Sequence, residues 1–299
     1  MMLIPGPSTP YSLNLGGQLL TLDHPIVMGI LNVTPDSFYA GSRMLDAADE
    51  LKDGSDALAE RIRQRVHTIL REGGSIIDVG AYSTRPGAPD VSTEEEMRRL
   101  AFGLDIIRRE APESIVSVDT FRADVAKMCV HDFGVQIIND ISGGELDHAM
   151  FHTVGRLGVP YILMHMQGEP RTMQQAPHYD NVCAEVAIYL ARRAQMLRDN
   201  GVKDIILDPG FGFGKTLHQN YELLANLEAF HELQLPILVG ISRKSMIYKL
   251  IGGTPEEALN GTTAINTIAL MKGAHILRVH DVKEAVEAIQ IFEETRSCP

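Results

Sequence analysis

In the stretch IVMGILNVTPDSF, residues 26–38, an apolar run of strand length (26–31) stops on Asn32 and passes into a polar loop holding Thr34, Pro35, Asp36 and Ser37. A short apolar run bounded by turn residues reads as a strand buried on both faces. The same pattern recurs at 75–80 (SIIDVG), 115–119 (IVSVD), 135–140 (VQIIND), 159–165 (VPYILMH), 204–208 (DIILD), 236–241 (PILVGI) and 275–279 (HILRV). Amphipathic stretches lie between these runs, among them 57–72, 93–110, 122–132, 181–200, 217–231 and 255–272. The one at 93–110 opens with acids in its first turn, where the helix dipole favours them. Eight buried-type strands, each followed by a helix, predict an α/β fold: a single (β/α)8 TIM barrel over residues 26–299, with a doubly wound sheet as the alternative. Residues 11–25 read as a short β-hairpin turning at Gly16-Gly17, so residues 1–25 form an N-terminal segment ahead of the barrel.

The bulk properties narrow the function. The chain has 299 residues, 44% hydrophobic and 22% charged, values at which a full globular core forms. Its formal net charge of −12 argues against nucleic acid or an anionic membrane as partner, since both would be repelled. A small anion is compatible with that charge if basic groups converge locally. Cys129, Cys183 and Cys298 are few and far apart, without a CxxC pair, as expected of reduced thiols in the cytoplasm. No apolar run has transmembrane length, and the Pro-rich start lacks the basic region of a secretory signal.

In a barrel the active site sits where strands end and the following loops begin. The residues at those points are Asn32; Asp78, with Thr84, Arg85 and Pro86 beyond it; Asp119; Asn139 and Asp140; Met164, His165 and Met166; Asp208; Ser242 to Ser245; and Arg278, His280 and Asp281. One such residue is usually a helix cap. Nearly every strand, however, delivers a polar group to the same end. Asp119, Asn139 and Asp208 need partners in a dry interior. Either they pair with Lys244 and Arg278 as a structural network, or they receive a flat ligand rich in N–H donors, with Lys244 on its carbonyl. Lys244, Arg278 and His280, with Arg85, read as cations in an acidic protein. Arg278 and His280 alternate at the end of one strand and share a face, next to the start of a helix, an arrangement suited to a diphosphate.

The segment DPGFGFGKT (208–216) resembles a phosphate-binding P-loop but has Pro209 where that motif needs glycine. Its glycines instead suit a tight turn that leaves Phe213 free as a stacking surface. GxSxG, HExxH and Cys/His metal clusters are absent from the sequence.

Two longer segments, MGILNVTPDSF (28–38) and GSIIDVGAYSTRPG (74–87), resemble the signatures of the dihydropteroate synthase family. SVDT (117–120), NDISGG (139–144), MHMQGEPRTMQ (164–174), DPGFGFGKT, GISRKS (240–245) and RVHDV (278–282) match it in order. The resemblance runs from about residue 11 to 294. It departs at Ala81-Tyr82, where the family has Gly-Glu, and at Tyr39–Ser42, where it has Ser-Asp-Gly-Gly. The resemblance implies a Mg²⁺-assisted transferase of folate synthesis, usually a homodimer and a target of sulfonamides. Its substrates are a pterin diphosphate and 4-aminobenzoate. It assigns the pterin to Asp119, Asn139, Met164, Asp208 and Lys244, and the diphosphate to Asn32, Arg278 and His280, with Asn32 also touching Mg²⁺. It assigns 4-aminobenzoate to Phe38, Thr84, Arg85, Pro86, Phe213 and Ser242. Asp119, Lys244, Arg278 and His280 then carry the chemistry, which needs charge stabilisation and no nucleophilic side chain. A pterin-binding methyltransferase, or a silent pterin binder, is the alternative. The methyltransferase has no use for the Ser-Thr-Arg-Pro loop, Ser242 or the Arg278/His280 pair, and a silent copy need not keep Asn32, Arg85 or Lys244.

Overall fold

A computed structural model of the chain describes residues 10–34, 50–82, 90–168, 173 and 177–297, with the side chains of 50–55 left aside. Strands β1 (Tyr11–Leu15) and β2 (Gln18–Leu22) pair antiparallel. The two-residue turn between them has Gly16 and Gly17 at φ 71° and 103°, the left-handed backbone that tight hairpins need and glycine supplies without strain. Next come β3 (Ile26–Asn32), α1 (Glu50–Arg71), β4 (Ile76–Gly80), α2 (Thr93–Glu110), β5 (Ile115–Asp119), α3 (Ala123–Phe133), β6 (Ile137–Asp140) and α4 (Met150–Leu157). The chain continues through β7 (Tyr161–Met164), α5 (Val182–Asp199), β8 (Ile205–Asp208), α6 (Leu217–Ala225), β9 (Leu238–Val239), α7 (Ser245–Ile251), α8 (Leu259–Met271), β10 (Ile276–Val279) and α9 (Val282–Ser297).

Strands β3 to β8 lie side by side in chain order, and β10 and β9 continue on the other side of β3. All of these pairs are parallel. The ring closes where Leu207 of β8 bridges Ile237 and its N–H donates to the Pro236 carbonyl at 2.8 Å. Closure excludes the doubly wound sheet and gives the expected (β/α)8 barrel behind an N-terminal hairpin.

Two helical stretches differ from expectation. The stretch 217–231 breaks at Asn226, whose side-chain amide donates to the Glu222 carbonyl (2.8 Å), ending α6 before a 3-10 turn at Leu227–Leu233. The stretch 255–272 becomes an α-helix only at Leu259, because 254–258 form a turn in which the Ala258 N–H donates to the Pro255 carbonyl.

Alternation along each strand divides the core in two. Outward residues such as Val27, Leu31, Val79, Val118, Leu163, Leu207 and Val279 pack under the helices. Inward residues Ile26, Met28, Ile76, Ile137, Ile162, Ile206, Leu238 and Ile276 form an aliphatic layer at the N-terminal end of the barrel. Leu13, Leu15 and Leu22 of the hairpin join that layer and seal the end from below. Leu22→Ala should therefore cost about 2–5 kcal/mol, as in other buried leucine truncations. The check is a lowered midpoint of urea unfolding with an unchanged slope.

Candidate active site

Two residues further along each strand, the barrel interior changes character. Aliphatic side chains give way to Asp78, Ser117, Asn139, Met164, Asp208, Gly240 and Arg278 on the same inward face. Asn32, Gly80, Asp119 and Asn139 lie on one register line across β3 to β6. Gly80 keeps that line open. A Cβ there would stand 3.4 Å from Asn32 Oδ1 and 4.0 Å from Asp119 Oδ2, filling the gap between the two oxygens.

Arg278 is the hub. Its Nε donates to Asp78 Oδ2 at 2.6 Å, and its Nη2 donates to Asp119 Oδ2 at 2.7 Å. Asp78 is fully buried and also accepts from the Asn139 side-chain amide at 3.2 Å, which leaves the Asn139 carbonyl oxygen for another donor. Burial alone would weaken Arg278's hold on its proton, but Asp78 and Asp119 reverse this and raise its pKa. Asp119 is pushed up to about 7, chiefly by burial, which Arg278 opposes and Asp78 reinforces. Burial raises Asp208 as well, against the pull of Lys244. One Asp208 oxygen accepts the Gly210 N–H at 2.7 Å.

Lys244 stands just before α7 and donates to the Phe211 carbonyl at 2.5 Å, with its ammonium 4.5 Å from the centre of the Phe213 ring. Burial lowers it to about 8, although Asp208 pulls the other way. The residue before it, Arg243, has φ 54°, a region arginine seldom occupies. A bidentate pair with Asp281 (2.8 Å for each bond) and bonds to the Pro255 and Glu256 carbonyls hold it there, between Ser242 and Lys244. Met164 packs with Ile141, Met166, Met173, Phe121 and Phe213 as an apolar patch beside these polar groups.

Asn32, Asp119, Asn139, Met164, Asp208, Phe213, Ser242, Lys244, Arg278 and His280 thus gather at the C-terminal mouth. Phe38, Thr84, Arg85 and Pro86 lie outside the described residues. Two expectations change. His280 favours the neutral form, because burial and then Arg278 push its pKa down to about 4. The Ser242 hydroxyl is already engaged, accepting the His280 N–H at 3.1 Å and meeting its Nδ1 at 3.0 Å. The sequence reading noted Asp78 but gave it no role. Its position, an acid within the apolar run IIDVG, was the available signal.

The strand ends thus assemble a barrel-enzyme site with a cation cradled by two carboxylates beside a polar pocket. The pterin binding enzyme family matches residues 28–280. Dihydropteroate synthase of Escherichia coli K12 is 46% identical over 283 residues, 94% of this chain and 95% of that protein. The Yersinia pestis dihydropteroate synthase solved with a sulfonamide drug superposes with a TM-score of 0.83 at 40% identity, covering 96% of this chain and 100% of that one. The Xanthomonas albilineans dihydropteroate synthase solved with 7,8-dihydropteroate gives 0.79 at 33% identity, covering 96% and 99%. The chain belongs to the dihydropteroate synthase family of pterin-binding enzymes.

Removing Arg278 strands the buried Asp78 and the half-buried Asp119. Arg278→Ala should destabilise the fold by about 3–5 kcal/mol. Adding Asp78→Asn should recover part of that loss, while the diphosphate binding expected of Arg278 should be lost in both variants. Urea unfolding and calorimetry on both variants check the two effects separately.

Proposed function

We propose that the protein joins (7,8-dihydropterin-6-yl)methyl diphosphate to 4-aminobenzoate, releasing diphosphate and 7,8-dihydropteroate. The observation that carries this reading is Arg278 held between Asp78 and Asp119 at the barrel mouth, next to Asn139, Asp208 and Lys244. Anion-binding and N–H-accepting groups adjoin there, as a diphosphate linked to a pterin requires. Asn139 and Asp208 accept from the pterin's ring amide and amine, Lys244 donates to its carbonyl, and Met164 offers an apolar surface. As the C–O bond breaks, its electron pair leaves with the diphosphate. Arg278 receives that charge, and neutral His280 donates a hydrogen bond to it. Asp119 faces the positive charge that develops on the pterin methylene. The amine lone pair of 4-aminobenzoate then forms the new C–N bond, and the ammonium so formed gives its proton to solvent water.

A magnesium ion fits this site as a companion of the diphosphate. Among the described residues no cluster of three acidic, histidine or cysteine side chains forms a metal cage. The Asn32 amide oxygen, beside the gap above Gly80, is the one donor assigned to it, in keeping with an ion that keeps most of its waters and binds substrate oxygens. When bound it would offset the charge of the leaving group. Phe213, with the loop residues Phe38, Thr84, Arg85 and Pro86, takes 4-aminobenzoate. Sulfonamides would compete there. Ser242 serves this subsite through His280 and Lys244.

With Mg²⁺ and both substrates, mass spectrometry should detect dihydropteroate, and its absence would sink the reading. The pKa of Asp119, raised to about 7, makes the active carboxylate form as pH passes that value, and Lys244 loses its charge above about 8. A bell-shaped kcat/KM with limbs near those values should result, and Asp119→Asn should lower kcat and remove the acid limb.

A homodimer in the cytoplasm completes the proposal. The sparse thiols support the compartment. The uncharged helix α8, LNGTTAINTIALM, supports the dimer. It lies on the outside of the barrel with Ile268 and Met271 exposed, and Ile251 of α7 packs against its Gly261. Ile268→Glu should shift sedimentation from dimer to monomer while the barrel stays folded.

A further inference from the structure

Lys215, the last residue of the Gly-Phe-Gly-Phe-Gly-Lys run, is 2% exposed and turns its ammonium into its own loop. Its ammonium has three hydrogens and meets three acceptors: the Gly210 carbonyl at 2.8 Å, the Phe213 carbonyl at 3.1 Å and His165 Nδ1 at 3.0 Å. For Nδ1 to accept, His165 must be neutral. Burial, reinforced by Lys215, pushes its pKa down to about 2. The ring meets Tyr189 edge-on at 4.8 Å, and the backbone N–H of His165 donates to the Asp208 carbonyl at 3.0 Å. Burying the ammonium is costly, since burial draws Lys215 down to about 7 despite the attraction of Asp208. A methionine would fill the same space at no such cost.

The charge organises the loop carbonyls. Those of Gly210 and Phe213 turn inward to Lys215, the Phe211 carbonyl between them accepts from Lys244, and the Gly214 carbonyl accepts from the Tyr179 hydroxyl at 2.8 Å. Gly210 sits at φ 73°, and a Cβ there would collide with the His165 carbonyl, so the loop is folded tightly against the end of β7. This conformation brings the Phe213 ring under the Lys244 ammonium.

We infer that Lys215, clamped by His165, is a positioning residue that sets Phe213 and Lys244 for the second substrate. It acts through the loop backbone and touches neither substrate. The inference rests on the placement of 4-aminobenzoate against Phe213, so Phe213→Ala is the companion variant.

Steady-state kinetics of the full-length enzyme provide the test. Lys215→Met should raise the KM for 4-aminobenzoate about tenfold, the scale of one lost charged hydrogen bond, while the KM for the pterin diphosphate stays within about twofold. His165→Asn keeps an acceptor near the Nδ1 position and should behave almost as wild type. His165→Leu, bulkier and apolar, should reproduce Lys215→Met. A purely packing role predicts the reverse order, with leucine tolerated better than asparagine. If Lys215→Met does not fold, the His165 pair decides. An unchanged 4-aminobenzoate KM in Lys215→Met, an equal rise in both KM values, or leucine matching asparagine would overturn the inference while the Phe213 placement stands. A Phe213→Ala enzyme with a normal 4-aminobenzoate KM would remove the placement and the inference together.

Discussion

The ion triad of Arg278 with Asp78 and Asp119 is the constraint around which the active end of this barrel is arranged. Carboxylates at the end of an apolar core are stable only if something compensates their lost hydration. A guanidinium does so with directed N–H groups, and its charge persists at any accessible pH. Asp78 is consumed in that role, being fully buried and bonded to both Arg278 and Asn139. Asp119 is shared, with part of its side chain at the mouth. One arginine therefore does two things: it makes two acids tolerable, and it keeps a positive charge where an anion can reach it. Of the structural network that the sequence leaves open, the Arg278 pairs with Asp78 and Asp119 are present, and they lie among the residues proposed to hold the ligand.

The fold was legible because the repeat of strand and helix is written in local pattern. Runs such as IVMGIL and SIIDVG are too short for helices and too apolar for edge strands. Barrel closure was not local: it depends on Leu207 meeting Ile237, and β9 is only two residues long. The gathering of site residues at one mouth was legible from their recurrence at strand ends. Their pairings were not, because Asp78 and Arg278 are 200 positions apart. Nor could the neutral state of His280 be read, since it comes from burial and from the charge of Arg278. Lys215 was set aside with the failed P-loop comparison. Its use lies in the three acceptors wrapped around it, a property of the folded loop and not of its composition.

Backbone choices matter as much as side chains at this mouth. Gly80 keeps room between Asn32 and Asp119, and a Cβ at Gly240 would touch Asp208 and Arg278 only at ordinary contact distance. Arg243 holds a strained conformation because Asp281 and two carbonyls overdetermine it. Ser242 and Lys244 project from either side of that residue. Tyr82, where the family pattern has glutamate, stands edge-on to Phe121 at 5.1 Å, and Arg122 stacks on both rings. Arg122 also donates to the Val91 carbonyl and pairs with Glu96. The substitution thus falls in an aromatic and cationic cluster that supports the start of the second loop.

The hairpin seal has a consequence for traffic. With Leu13, Leu15 and Leu22 stoppering one end, the interior is approached from the other. Whatever seats itself deepest, against Asn139 and Asp208, goes in first and comes out last. A molecule resting on Phe213 stands nearer the threshold, in the way of anything behind it. Arrivals and departures share the one approach, so their order follows from how deep each one sits.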